Sequence, residues 1–593
     1  MPQVNRFAIA LLLVAMTALS GCDGREPPAD STGPAAVSAA DAKMTELADR
    51  YVAAALDRQP VLAYFANLPA PAHDRLLDNS LGALAEWHTV EDRIHAEIAA
   101  VDESALSPDE WVAWGVLKET LEASRGLRVC RSELWQTVNH MDGWHLELSF
   151  LATRQPVATP ADREAALRRW ASLPRYIDTE IVNLTKGLGE GYSAAKPVAQ
   201  AMLKQIEQMA AAPAEEWPLY AMAERTDDAE FHTALRTLID TDIRAAVTRF
   251  RDFLAETYIP AARETLPVTS LPDGTACYRA MLRDYTTLDR DPAAVYALGE
   301  ETVSANRSRV LALGSELFGL EDLDAIVAHV QEAPDNHFET ETALVEHSRA
   351  TVEAARAKVA PLFVSMPSAS VVVEPFPEYQ RGSGLSSHYQ PPGSAGQPGE
   401  YRISLDFWRD ETVGGAEITA VHEAWPGHHL QISLTLAQGD QHPILRFGFN
   451  SGYVEGWARY AEQLAEEAGI YTVDYARITR RLWPARGMML DPGIHLLGWT
   501  KEQAVDFFME SGKFSRDEAE AGVTRIAAIP GQLAAYDSGA LVIFGLRAEA
   551  EERLGGQFDL RAFHKHVLEN GSLPLWQLQE HVRRWIAAQS ESR

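Results

Sequence analysis

Along most of the chain, apolar residues recur three and four positions apart, with charged residues between them. Such windows lie at 43–58, 82–99, 109–126, 164–186, 197–210, 229–257, 284–317 and 341–360. A period near 3.6 with a charged opposite face predicts amphipathic helices packed on one another, punctuated by Pro and Gly. Residues 361–403 read differently. Ser-Ala-Ser-Val-Val-Val-Glu-Pro-Phe (368–376) and Tyr-Arg-Ile-Ser-Leu-Asp-Phe (401–407) are strand candidates around a Gly/Pro-rich loop. The pattern predicts a mainly α-helical protein with a small β-sheet, and no short repeat supports a solenoid.

The first forty residues follow another pattern. Arg6 precedes the apolar run Phe7–Leu19, which ends in Leu19-Ser20-Gly21-Cys22. A short basic region, an apolar core and small residues before a cysteine form an export signal whose ending resembles the bacterial lipobox. Cys22 is therefore expected to carry lipid, with the body in the cell envelope facing the periplasm. Asp23 slightly favours the inner membrane. The plain alternative is a soluble secreted protein. Residues 24–41, with Pro27-Pro28 and Ser31-Thr32-Gly33-Pro34, read as a flexible tether. The expected organisation is a signal peptide at 1–21, a tether at 22–41, a helical region at 42–360 and a catalytic region at 361–593. No later apolar stretch reaches the length of a second membrane span.

Charge narrows the partners. The 593 residues carry 84 Asp and Glu against 53 Lys and Arg, a formal net charge of −31. That balance argues against nucleic-acid binding and gives no reason to expect an acidic substrate. After lipidation of Cys22, Cys130 and Cys277 remain. They are either a disulfide, permitted in an exported protein, or two separate buried thiols.

The chemistry concentrates in two segments, His422-Glu423-Ala424-Trp425-Pro426-Gly427-His428-His429 and Tyr453-Val-Glu455-Gly-Trp-Ala-Arg459-Tyr-Ala-Glu462. Together they hold imidazoles, a carboxylate ligand and a free carboxylate base, the inventory of a zinc hydrolase. In an ordinary zincin helix the histidines stand four residues apart. Here the next histidines are six and seven residues on, about 9 and 10.5 Å along an undistorted helix. His429 is then nearly in line with His422, and His428 sits roughly 120° away at about 100° per residue. Pro426 lacks an N–H and Gly427 permits unusual dihedrals, so a two-residue bulge would return His428 to the i+4 place. A surface helix ending in a Pro-Gly turn, with hydrogen-bonded histidines, is the bland alternative.

At these residues the chain resembles the DUF885 family of bacterial proteins, grouped with gluzincin-like metallopeptidases. The matching blocks are 422–431, 453–464, 485–500, 530–539 and 558–575. Members have carried serine-peptidase names, but no G-x-S-x-G elbow occurs here. The resemblance implies a gluzincin-like fold with a deep cleft and the sheet beside the active helices. It matches His422 and His428 to the paired imidazole ligands, Glu423 to the general base and Glu455 to the third ligand. His429 stays open as a competing ligand or outer donor. Glu462, seven residues after Glu455, would either orient a histidine or replace Glu455.

Other residues of these blocks are candidates to complete a site. Tyr536 would donate to an oxyanion, Arg486 would bind a substrate carboxylate, and His495 would stabilise a tetrahedral intermediate. Asp491 would hold one of them, and Tyr389 would line the cleft. Each has a structural alternative in a salt bridge, hydrogen bond or buried ring. The expected function is zinc-dependent (Zn2+) hydrolysis of short peptides. The alternatives are a metal-dependent amidase or esterase, and a lipid-anchored binding or scaffold protein with a structural metal.

Overall fold

The computed structural model describes residues 38–591, apart from 377–380, 382–385, 393–397, 439–440 and 448–449. The signal peptide at 1–21, Cys22 and the tether as far as residue 37 lie outside the described residues. The first helix, Ala39–Arg58, begins three residues before the expected boundary because the Ser38 side chain accepts the N–H of Asp41. Ser80 and Ser107 cap Leu81–Ile98 and Pro108–Leu127 in the same way.

Two windows prove to be helix pairs. The 164–186 window is Pro160–Ala171 followed by Leu173–Gly189, because Pro174 has no N–H to continue the ladder. The 284–317 window joins the end of Gly274–Thr286 to Pro292–Phe318. Thr287 in the left-handed region, at φ 50°, separates them.

The sheet has three strands, β1 (Val371–Pro375), β2 (His388–Gln390) and β3 (Gly399–Ile403), in the order β1-β3-β2. β3 runs parallel to β1, with Val373 opposite Tyr401, and antiparallel to β2, with Tyr389 opposite Tyr401. β2 was not expected: three residues are too few to show an alternation. β3 also starts two residues earlier and stops four earlier than the pattern at 401–407.

The packing crosses residue 360. One apolar core joins Met44, Leu117 and Val352 to Tyr453, Trp457 and Leu578. A second core, rich in Trp170, Trp217, Tyr258 and Phe250, lies almost wholly within residues 138–262. In a separate cluster Cys130 and Cys277 form a disulfide with a Cα–Cα distance of 4.6 Å, buried beside Leu134, Trp135 and Tyr278. No single described helix is long and apolar enough to cross a membrane.

Four helices position the candidate site: Val413–Glu423, His428–Ala437, Ser451–Glu467 and Gln532–Leu554. Thr412 caps the first and Asn450 the third. The third and fourth touch backbone to backbone. A Cβ on Gly539 would stand 1.7 Å from the Gly452 carbonyl oxygen, and one on Gly456 would stand 2.5 Å from the Gly539 carbonyl carbon. Only glycines allow this approach, which sets Glu455 and Tyr536 on neighbouring helix faces.

Candidate metal centre

The helix carrying His422 ends at Glu423, and a new helix begins at His428. The expected two-residue bulge is therefore a complete break over Ala424–Gly427, with a cis Trp425–Pro426 peptide. The Gly427 N–H donates to the Val421 carbonyl at 3.0 Å, and a Cβ on Gly427 would meet the His422 carbonyl oxygen at 1.9 Å. Trp457 Nε1 donates to the Pro426 carbonyl at 2.9 Å, tying the turn to the Glu455 helix. Doubling the chain back at a glycine brings His428 beside His422, with ring centroids 4.8 Å apart.

Glu455 meets both rings. Its Oε2 lies 3.5 Å from His422 Nε2 and 3.4 Å from His428 Nε2. One ligand atom from each of His422, His428 and Glu455 falls within 4.8 Å of the others. Two ligands bound about 2.1 Å from a shared tetrahedral centre are themselves about 3.4 Å apart, so the spacing fits a zinc-sized cation. Among the described residues, Glu455 Oε2 and His428 Nδ1 are buried without a hydrogen-bond partner. A buried carboxylate oxygen facing two imidazole nitrogens, bonded to neither, is the arrangement a cation would satisfy. The donor set is a candidate metal-binding triad.

Glu462 meets His422 at the ring nitrogen that does not face Glu455. Its Oε1 accepts from His422 Nδ1 at 2.9 Å and from Arg459 Nη1 at 2.8 Å. That bond puts the His422 proton on Nδ1 and leaves Nε2 to face Glu455. Burial alone would lower the His422 pKa, but the Glu455 and Glu462 carboxylates beside it outweigh burial and raise it to about 9. Burial also opposes ionisation of Glu462, yet Arg459 and His422 draw its pKa down to about 2. Glu455 is likewise held well below the usual carboxylate range by the two imidazoles, against its own burial. Arg459 leans 5.6 Å over the Tyr536 ring and stands 3.9 Å from Asp537. A cavity of about 810 Å³ lies behind this pair, lined by Arg459, Glu462, Arg480 and Asp537 but not by the triad.

Glu423 is the last residue of its helix, adjacent to His422 and buried. No hydrogen bond from a described residue ties its carboxylate. Tyr536 belongs to the same neighbourhood: burial and the Glu455 charge push its phenol up to about 12, with Arg525 acting in the opposite sense.

Five other candidate residues have partners outside the triad. His429 points away from the triad: its Nε2 donates to the Ala369 carbonyl at 3.1 Å, and its Nδ1 accepts from the Tyr389 hydroxyl at 2.9 Å. Both nitrogens are occupied by these bonds, and Tyr389 reaches His429 from β2. Burial keeps this ring neutral, with a pKa lowered to about 4. His495 is fixed in the core, accepting from Val268 N–H at Nδ1 (3.1 Å) and donating from Nε2 to Ile526 O (3.0 Å). Arg486 is buried and donates to the carbonyls of Leu482 and Phe507 at 2.9 and 2.7 Å. Asp491 accepts from Gly531 N–H and from Tyr278. Arg486 also pairs with Glu510 at 3.5 Å, and these groups bond to residues of the core and helix ends. A further group, His566, Glu569 and His581, is half-buried and closed on itself by hydrogen bonds of 2.5 and 3.0 Å.

Solved structures share the whole architecture. A candidate lipoprotein from Colwellia psychrerythraea superposes with a TM-score of 0.84 at 22% identity, covering 93% of this chain and 100% of its own. A candidate lipoprotein of unknown function from Shewanella oneidensis gives a TM-score of 0.70 at 17% identity, covering 92% and 99%. No curated protein matches the chain. Residues 60–582 match the model of DUF885, described as a bacterial protein of unknown function, and the chain belongs to that family.

Proposed function

We propose that this chain is a zinc-dependent hydrolase of short peptides, related in mechanism to gluzincin metallopeptidases. The observation that carries the reading is the convergence of His422, His428 and Glu455 around an unpartnered carboxylate oxygen, with Glu423 next in sequence to a ligand. Three protein ligands rather than four is the count of a catalytic zinc site, which keeps a position open. Zinc bound there would lower the pKa of water and polarise a carbonyl.

The protein's own groups divide the remaining work. Glu423 accepts the proton as water attacks the peptide carbonyl carbon, then passes it to the leaving amine as the C–N bond breaks. Tyr536 O–H donates to the developing oxyanion from the neighbouring helix. Glu462, itself held by Arg459, fixes the orientation of His422. An amide demands all of this because its leaving group needs a proton. An ester demands less, so turnover of esters without peptides would favour an esterase. Anchoring through Cys22 in the cell envelope completes the proposal, supported by the lipobox pattern and by the lipoprotein descriptions of both solved relatives.

The test is a hydrolysis assay on protein lacking residues 1–21, with a varied short-peptide library and the Glu423→Gln variant. The reading predicts zinc-dependent cleavage that the variant loses while keeping its metal. Stoichiometric zinc with no turnover of any peptide would point instead to another substrate or a structural metal.

A further inference from the structure

A second layer of polar groups lies one helical turn from the triad. Ser451 stands four residues before Glu455, and Gln532 four residues before Tyr536, so each lies about 6 Å along its helix from the metal layer. Gln532 Nε2 donates to Ser451 Oγ at 3.4 Å, joining the two helices there. Arg525, from the preceding helix Arg516–Ala528, donates Nη2 to Gln532 Oε1. Arg525 is half-buried and makes no ion pair with a described residue. Its charge acts on Asp491, which makes no ion pair with it and has hydrogen-bond partners of its own. Asp491 takes the Gly531 N–H and the Tyr278 hydroxyl, while Asp142 and Asp284 act on Tyr285, whose carbonyl lies against Gly452. The charge of Arg525 reaches both Tyr285 and Tyr536.

A guanidinium bonded only to a neutral amide has unused donors in a fork that matches a carboxylate. One extended residue spans about 3.3–3.6 Å, so about 6 Å between the layers is one to two residues of substrate. We propose that Arg525 anchors the C-terminal carboxylate of a short peptide whose scissile carbonyl lies at the His422–His428–Glu455 layer. The chemistry released is then one or two residues from a free C-terminus: water adds to the carbonyl carbon, the C–N bond breaks, and the amine leaves with the proton from Glu423. This inference rests on the hydrolase reading above and assigns to Arg525 the carboxylate-binding role expected of Arg486.

Binding separates the two. Trialanine as the free acid and as the C-terminal amide would be titrated calorimetrically into zinc-loaded Glu423→Gln protein, alone and combined with Arg525→Met or Arg525→Lys. A charged hydrogen bond predicts about 10- to 100-fold tighter binding of the free acid. Arg525→Met should abolish that preference, and Arg525→Lys should restore part of it. Equal affinity for acid and amide, or no binding of either at millimolar concentration, would overturn the anchor. The acid–amide comparison in the Arg525 protein needs no second substitution, so misfolding of Arg525→Met cannot decide it. Peptide hydrolysis indifferent to amidation would retain the hydrolase and reject the anchor. Preferential acid binding without any turnover would do the reverse.

Discussion

His422 is held from both sides, by Glu462 at Nδ1 and by Glu455 opposite Nε2, and this makes the role of Glu462 separable from that of a ligand. Glu462→Gln keeps the side-chain shape but loses the charge that Arg459 and His422 share. The expected result is a zinc affinity about 10- to 100-fold weaker with the fold intact, read by competition with a chelator. Unchanged affinity would remove Glu462 from the account. At this scale the sequence was informative wherever chemistry lay in residue identity. Glu423 beside His422, and Glu455 beside Glu462, were visible as a pattern of types and spacings. The choice between His428 and His429 was not, because it depends on where the backbone turns, and an ideal helix puts the wrong ring in line. Arg525 carried no signal: nothing in Arg-Ile-Ala-Ala-Ile-Pro-Gly-Gln marks its guanidinium as lacking an ion pair.

At the scale of elements, the site depends on glycines that permit close approach. Gly427→Ala would drive a Cβ into the His422 and Val421 carbonyl oxygens, at 1.9 and 2.5 Å, and neither backbone group can yield without separating the two histidines. We expect a loss of about 1–3 kcal/mol in chemical denaturation together with weaker zinc binding. Wild-type zinc affinity in that variant would mean that the turn does not set the ligand geometry. The long helices were legible in their apolar period to within a few residues, since Ser38, Ser80 and Ser107 supply the caps. What the period could not reveal was the interruption at Ala424–Gly427 or the partner strand β2. Both are decided by contacts with distant residues, Trp457 for the turn and β3 for the strand.

For the molecule as a whole, the disulfide and the buried histidines govern stability in different ways. Cys130 and Cys277 are separated by 147 positions, so bonding them removes much freedom from the unfolded chain. Replacing both by Ser should cost about 2–5 kcal/mol in denaturant unfolding. A loss below about 0.5 kcal/mol would show that packing around Trp135 and Tyr278 holds this region unaided. No spacing rule could have paired cysteines so far apart; their proximity is a product of the fold. His495 offers a test by pH. Burial lowers its pKa to about 3 from a reference of 6.5, so the folded state binds this proton more weakly than the unfolded state. Its contribution is fully present above about pH 6.5 and declines as pH falls from there towards 3, with proton uptake on unfolding. His495→Gln should flatten that part of the stability–pH curve, measured by thermal unfolding. An unchanged slope between pH 6.5 and 4 would show that His495 does not contribute to it.

The most direct measurement is diffraction from zinc-loaded crystals at the zinc absorption edge. The account predicts one strong anomalous peak about 2.1 Å from His422 Nε2, His428 Nε2 and a Glu455 oxygen, with a coordination position free of protein. No peak there, or a fourth protein ligand closing the shell, would contradict a catalytic metal at this site.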